Sequence, residues 1–287
     1  MTRRRTYDTP VRAVVLDAYG QPQLADVPGP ERSLEVLACG LCGSDVEKIG
    51  SAPAGTVLGH EVVVRTASGR EALIHHLPCG ACARCRAGHE STCERFREPT
   101  IVPGGFAERV LATAGVAVPD GVDDARATMV EPLACVLRGA AQVPRGRVLV
   151  VGNGFVGRLF AAVLERRGDE VFAIDADPRR AGRAPDGPVD AAVVCAAGGG
   201  DTALAAVEPG GTVLVFADAA TLPADLLYRR ELTVVGSRSA TPEAMRDAAS
   251  LLPELDLPEP LVLPLDRFAE GLDLFRRREA LKVVFRP

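Results

Sequence analysis

Four cysteines, Cys79, Cys82, Cys85 and Cys93, fall within fifteen residues of one another in a chain of 287. Thiolates so spaced can wrap one Zn²⁺ tetrahedrally, and a site with all four positions filled by protein is structural. A second set lies upstream: Cys42-Gly43-Ser44-Asp45, with Gly59-His60-Glu61 beginning near the eighteenth residue after Cys42. Thiolate, imidazole and carboxylate make an incomplete tetrahedron, the arrangement by which a catalytic zinc keeps a position open for a substrate oxygen. Eight cysteines in all could instead mean disulfides. The basic start MTRRRTYDTP is not followed by an apolar stretch, however, so metal ligation in a reducing, cytoplasmic setting is the expectation.

A third constellation is Gly152-Asn153-Gly154-Phe155-Val156-Gly157. It follows the apolar run Val148–Val151 and opens a helix expected over 156–167, and Asp175 closes the next apolar run, 171–174. Strand before, helix after and an acid about 20 residues on are the context a dinucleotide-binding loop requires. The glycines let backbone approach a pyrophosphate at the helix N-terminus, and Asp175 can accept from a ribose hydroxyl.

Elements must hold these groups in place. Residues 12–16 and 33–37 read as strands of an antiparallel region, and Gly-, Cys- and His-rich loops occupy 38–115. From Arg147 apolar runs at 148–151, 171–174, 191–195, 212–216 and 232–235 alternate with helical stretches, the pattern of a parallel sheet covered on both faces. Two amphipathic helices, near 242–252 and 266–278, and a strand at 281–285 complete the chain.

Composition excludes several classes. A net charge of −5 argues against a nucleic-acid surface, which needs clustered Lys and Arg. No apolar run approaches the roughly 20 residues that cross a bilayer. His75, His76 and His89 border the cysteine cluster and read as loop residues, and Cys39, Cys135 and Cys195 as small buried hydrophobes.

In these residues the chain resembles the zinc-containing medium-chain dehydrogenase/reductases, above all the sorbitol, threonine and glucose dehydrogenase branch. Further matches, in family order, are Pro103–Glu108, Glu131–Ala134, Glu208–Thr212, Val235–Ser239 and Ala280–Val284. The resemblance implies an α/β chain: a GroES-like β-rich catalytic domain over 1–138 and 241–287, and a Rossmann cofactor domain over 139–240, with the active site between them. It implies that Cys42 and His60 bind a catalytic zinc and that Glu61 or Glu131 completes the set. Asp45 would orient His60 from behind, and Ser44 would carry the alcohol proton. Lys282 matches the basic residue that approaches the cofactor pyrophosphate. The implied cofactors are two zinc ions per chain and NAD, with NADP possible through Arg179 and Arg180. The implied activity is hydride transfer between NAD and a secondary alcohol such as a polyol, sugar, cyclitol or hydroxy-amino acid, in a homodimer or homotetramer. A non-catalytic zinc and NAD(H)-binding sensor or structural relative is the alternative from another class, and a zinc-free quinone-reductase-like enzyme conflicts with the intact Cys and His sets.

Two departures from the family stand out. The usual proton-relay histidine is replaced by Glu47. Only fourteen residues separate Asp175 from Asp190, too few for the usual helix and strand, so the cofactor sheet is expected to lose one of six strands.

Overall fold

The computed structural model describes residues 10–217 and 222–287, so the basic start of the chain lies outside the described residues. The chain divides into two compact units. One comprises the residues up to Glu131 with Ala240–Pro253 and Pro258–Pro287; the other comprises Pro132–Ser239 with Glu254–Leu257.

The first unit is built on antiparallel sheet. Leu34–Gly40, Glu61–Thr66, Gly69–Leu73 and Gly115–Ala117 are neighbours in that order. Val283–Arg286 pairs antiparallel with the other side of Leu34–Gly40 and carries Leu261–Pro264 parallel to itself. Pairing register sets the site. Gly40 faces Glu61 across one ladder and Val284 across the other, so the start of the Glu61 strand and the residues before Val283 converge on a position without a side chain. Beneath lies a core in which the rings of Phe106, Phe268 and Phe285 meet at centroid distances of 5.0, 5.7 and 4.7 Å. Buried aromatic rings contribute through apolar burial and edge-on contact together.

The second unit is a five-stranded parallel sheet in the order Glu170–Ile174, Arg147–Val151, Val189–Val194, Val207–Val215, Thr233–Gly236. Its central strands are buried along nearly their whole length, as a sheet covered on both faces demands. The helix Phe155–Arg167 buries Leu159, Phe160, Val163 and Leu164 on one stripe. It ends where Gly168 takes the left-handed conformation at φ 93°. The sheet has five strands where a doubly wound cofactor sheet has six. In place of the sixth, the segment after Asp175 folds back: Gly182 N donates to Ala173 O at 3.1 Å and Ala173 N to Arg183 O at 3.0 Å, on the free edge of Glu170–Ile174. Among the described residues, no helix is long and apolar enough to cross a membrane.

Candidate functional site

Cys42 stands at the N-terminus of the short helix Gly43–Lys48, in an extended backbone conformation. His60 and Glu61 open the strand Glu61–Thr66 from the other side. One ligand atom from each of the three lies within 4.8 Å of the others. The bend that delivers His60 requires glycine. Gly59 sits at φ +95°, and a Cβ there would come within 2.8 Å of both Cys39 Sγ and Phe106 N.

Asp45 ties the cluster together. Its carboxylate, 1% exposed, accepts from Cys42 N at 3.2 Å and Gly59 N at 3.2 Å, and bonds His60 Nδ1 at 3.1 Å. Burial alone would raise this carboxyl. The charge and ring hydrogen bond of His60, with the Cys42 N–H, outweigh it and hold Asp45 below the usual carboxylate range. With Nδ1 engaged, Nε2 is the nitrogen left to face a metal, the arrangement seen when a carboxylate orients a ligand imidazole. Ser44 Oγ lies 3.5 Å from Cys42 Sγ. Glu47 is exposed on the same helix and stands apart from the cluster. Glu131, in the first turn of the helix Val130–Ala140, is buried but does not belong to the set within 4.8 Å.

Two neighbours of the cluster bear on its charge and packing. Lys282, expected beside a pyrophosphate, is 2% exposed; its ammonium donates to Leu41 O at 3.2 Å and to the Glu61 carboxylate. Gly40 makes room for this pair, since a Cβ there would overlap the Glu61 carboxylate. Removing either partner of a buried pair leaves an uncompensated charge, which is why such pairs are held as units. His75, read as a loop residue, places its ring 4.7 Å from that of His60. Burial first, then the charges of His60 and His76, push it down to about 2, so it stays a neutral imidazole. His76 continues the column at 3.9 Å, and Phe96 stacks on His76 at 3.8 Å. The only sequence signal for this column is a pair of histidines directly after an apolar strand.

The column ends at the cysteine lobe. Sγ atoms of Cys79, Cys82, Cys85 and Cys93 lie within 4.8 Å of one another, and none of the four is in a disulfide. The contacts Cys79–Cys85 and Cys82–Cys93 are 4.0 Å. Tetrahedral sulfurs about 2.3 Å from one zinc would be about 3.8 Å apart, so the set fits the ion. Backbone N–H groups point at the sulfurs: Cys79 to Cys93 at 3.3 Å, Cys82 to Cys79 at 3.3 Å and Cys85 to Cys82 at 3.4 Å. The backbone N–H groups of Glu94 and Cys85 pull the Cys82 thiol down to about 6, whereas burial and the neighbouring sulfurs push Cys85 up to about 12. Four sulfurs this close cannot all ionise unless a cation lies among them. Of the remaining cysteines Cys39 is fully buried, while Cys135 and Cys195 are only partly so.

In the second unit, Gly154 caps the helix Phe155–Arg167 with no side-chain bond to the first turn. Gly157 lets the helix close on the strand: a Cβ there would overlap the Gly152 carbonyl. Asp175 accepts from Asn153 N at 2.8 Å and Asp177 N at 2.9 Å, which fixes its carboxylate beside the loop. Phe155 and Val156 form the first turn of the helix. Of the two arginines expected near a ribose, Arg179 is bound to Asp177 through Nη2 at 2.7 Å, whereas Arg180 reaches toward Gly154.

Known proteins share this architecture. Residues 30–120 match the alcohol dehydrogenase GroES-like domain. L-Galactonate-5-dehydrogenase of Escherichia coli K12 is 28% identical over 316 aligned positions, covering 90% of this chain and 92% of that protein. D-Altritol 5-dehydrogenase of Agrobacterium fabrum is 30% identical, covering 75% of this chain and 79% of that protein. A zinc-binding dehydrogenase of Sinorhizobium meliloti 1021, solved bound to NADP, superposes with a TM-score of 0.81 at 25% identity over 98% of this chain and all of that one. These relatives are dehydrogenases and lend no support to a non-catalytic reading. On the identity and coverage of these relatives, and on the four-cysteine cluster and the Cys42, His60 and Glu61 cluster, the chain belongs to the zinc-containing medium-chain dehydrogenase/reductase family.

Proposed function

We propose that the chain is a two-zinc, NAD-linked dehydrogenase of polyols or sugar acids, oxidising a secondary alcohol to a ketone. The observation that carries this reading is the Cys42, His60 and Glu61 cluster, with Asp45 fixing the imidazole from behind. The substrate class rests on the relatives, which act on a sugar acid and a polyol by name. A catalytic domain of residues 1–138 and 241–287 and a cofactor domain of 139–240 remain the proposed division.

Zinc bound by Cys42, His60 and a carboxylate would supply Lewis-acid activation of the hydroxyl, and the nicotinamide the hydride acceptor. The balance is secondary alcohol plus NAD⁺ to ketone, NADH and one proton. The chain's residues divide the remaining work. Asp45 holds the ring of His60, and Ser44, 3.5 Å from the Cys42 sulfur, is the residue we assign to take the alcohol proton. Glu47, exposed in the next turn, can pass a proton to water. Glu61 is the carboxylate we assign to the metal, since its oxygen lies with the other two donors. Glu131 is the second acidic group of the site. Cys79, Cys82, Cys85 and Cys93 would hold the other zinc, their sulfurs lying within 4.8 Å of one another.

Asp175 supports NAD over NADP, because a carboxylate accepts from a ribose 2′-hydroxyl and repels a 2′-phosphate. The exposed edge strand Thr233–Gly236 supports a homodimer or homotetramer, since its outer edge, which pairs with no strand among the described residues, can extend into a second copy. Metal analysis tests the core of the reading. Two zinc ions per chain are expected, one in Cys42→Ser; one or none in the wild-type protein after zinc-supplemented expression overturns it. Steady-state kinetics on one accepted substrate should give higher kcat/KM with NAD than with NADP, and Asp175→Ala should narrow the gap.

A further inference from the structure

We infer that His75 is a specificity-determining residue: a nitrogen of its ring bonds a second hydroxyl, on the carbon next to the one oxidised, so that the site takes vicinal diols ahead of lone secondary alcohols. The inference deepens the reading of the Cys42, His60 and Glu61 cluster as the alcohol site and rests on it.

The end of the strand Gly69–Leu73 brings His75 to the cluster. Ile74 N donates to Ala114 O at 3.0 Å, and Thr100 Oγ1 donates to the carbonyls of Ile74 at 3.0 Å and His75 at 2.7 Å, so the backbone is held as it leaves the sheet. The ring is held as well. Its centroid stands 4.7 Å from that of His60 and 3.9 Å from that of His76, which is itself stacked on Phe96 of the cysteine lobe. A side chain packed into a column of rings has little freedom left to lose when a ligand meets it.

These are contacts of ring against ring, and they leave the polar atoms unused. Neither ring nitrogen of His75 hydrogen-bonds any described residue, and neither is sealed from solvent in this half-buried side chain. Other polar groups of the cluster are committed: Asp45 to Cys42, Gly59 and His60, and Glu61 to Lys282. An imidazole nitrogen donates or accepts according to its tautomer, and a hydroxyl answers either. With the reacting hydroxyl at Cys42, His60 and Glu61, the hydroxyl on the adjoining carbon is the next polar group of a polyol, and the ring packed against His60 is the side chain at hand for it. A substrate without that hydroxyl leaves the nitrogen to water, so the diol is favoured by the net worth of one hydrogen bond.

The experiment titrates 2,3-butanediol and 2-butanol, which differ by that one hydroxyl, into the zinc-loaded chain with NADH bound, following nucleotide fluorescence in the wild type, His75→Phe and His75→Asn. One such hydrogen bond corresponds to about a 3- to 10-fold difference in Kd. The wild type should bind the diol tighter by that factor. His75→Phe, which keeps a ring in the column, should lose the difference through weaker binding of the diol alone, and His75→Asn should recover part of it. Equal affinity of the wild type for both probes, an unchanged Kd for the diol in His75→Phe, or an equal rise for both probes overturns the inference and leaves the dehydrogenase reading standing; a wild-type chain that binds neither alcohol overturns both. Zinc content and thermal melting of each variant check that the cluster is intact. Nitrogen NMR of labelled histidine in the wild type reads the same bond without a substitution in the chain observed. The chain has four histidines, and the His75 resonances, assigned by their absence from His75→Asn, should shift with the diol and not with 2-butanol; the same response to both probes overturns the inference.

Discussion

Asp45 is the residue on which the most contacts of the catalytic cluster converge. It bonds the backbone on both sides of the metal ligands, at Cys42 and Gly59, and the ring of His60 itself. Asp45→Asn keeps the shape but loses the charge that aligns the imidazole, so zinc affinity should fall about 10- to 100-fold in chelator competition; unchanged affinity would show that Asp45 serves the backbone alone. The two remaining acids should separate. Glu131 is buried near the end of the first unit and Glu47 is exposed. Glu131→Ala should therefore cost more turnover than Glu47→Ala, within the ~100- to 10,000-fold range of acid–base groups, because water can replace an exposed relay. Equal losses in kcat would contradict the roles given to them.

At the scale of elements, two loops hold the two candidate zinc sites, and they should fail differently. The cysteine lobe has the short helix Ala83–Arg86 and the turn Glu90–Thr92, and exposed or half-buried residues supply most of its surface. A zinc there would be its core, and structural zinc contributes ~10 to 16 kcal/mol of apparent binding energy in small peptides. Cys82→Ala should lower the melting temperature markedly. Cys42→Ser, set among sheet strands that stand on a large aromatic core, should leave the melt nearly unchanged and abolish turnover. The reverse pattern in calorimetry would exchange the two assignments. These elements were legible in the sequence because their residues are near neighbours: Cys79 to Cys93, the glycine loop with its strand and helix, and the apolar runs of the parallel sheet. The Glu61–Lys282 pair joins residues more than 200 positions apart through the register around Gly40, and no local spacing announces it. The His60–His75 contact likewise depends on how the strand Gly69–Leu73 ends.

For the whole molecule, the shortened stretch after Asp175 was readable as a missing strand from its length alone. Where the remaining residues would go was not, since it depends on the free edge at Ala173 and the Asn153 side chain. Each unit nonetheless retains the chemistry its family requires: a three-donor cluster with a carboxylate behind it in one, and a glycine loop with an acid beside it in the other. The central claim is that this chemistry is used in turnover. The most direct measurement is the rate of NADH formation by the zinc-loaded chain on a panel of polyols and sugar acids, with Cys42→Ser in parallel. The account predicts that at least one secondary alcohol is oxidised by the wild-type chain and that Cys42→Ser reduces the rate to background; substantial activity in Cys42→Ser, or none in the wild-type chain on any member of the panel, would contradict it.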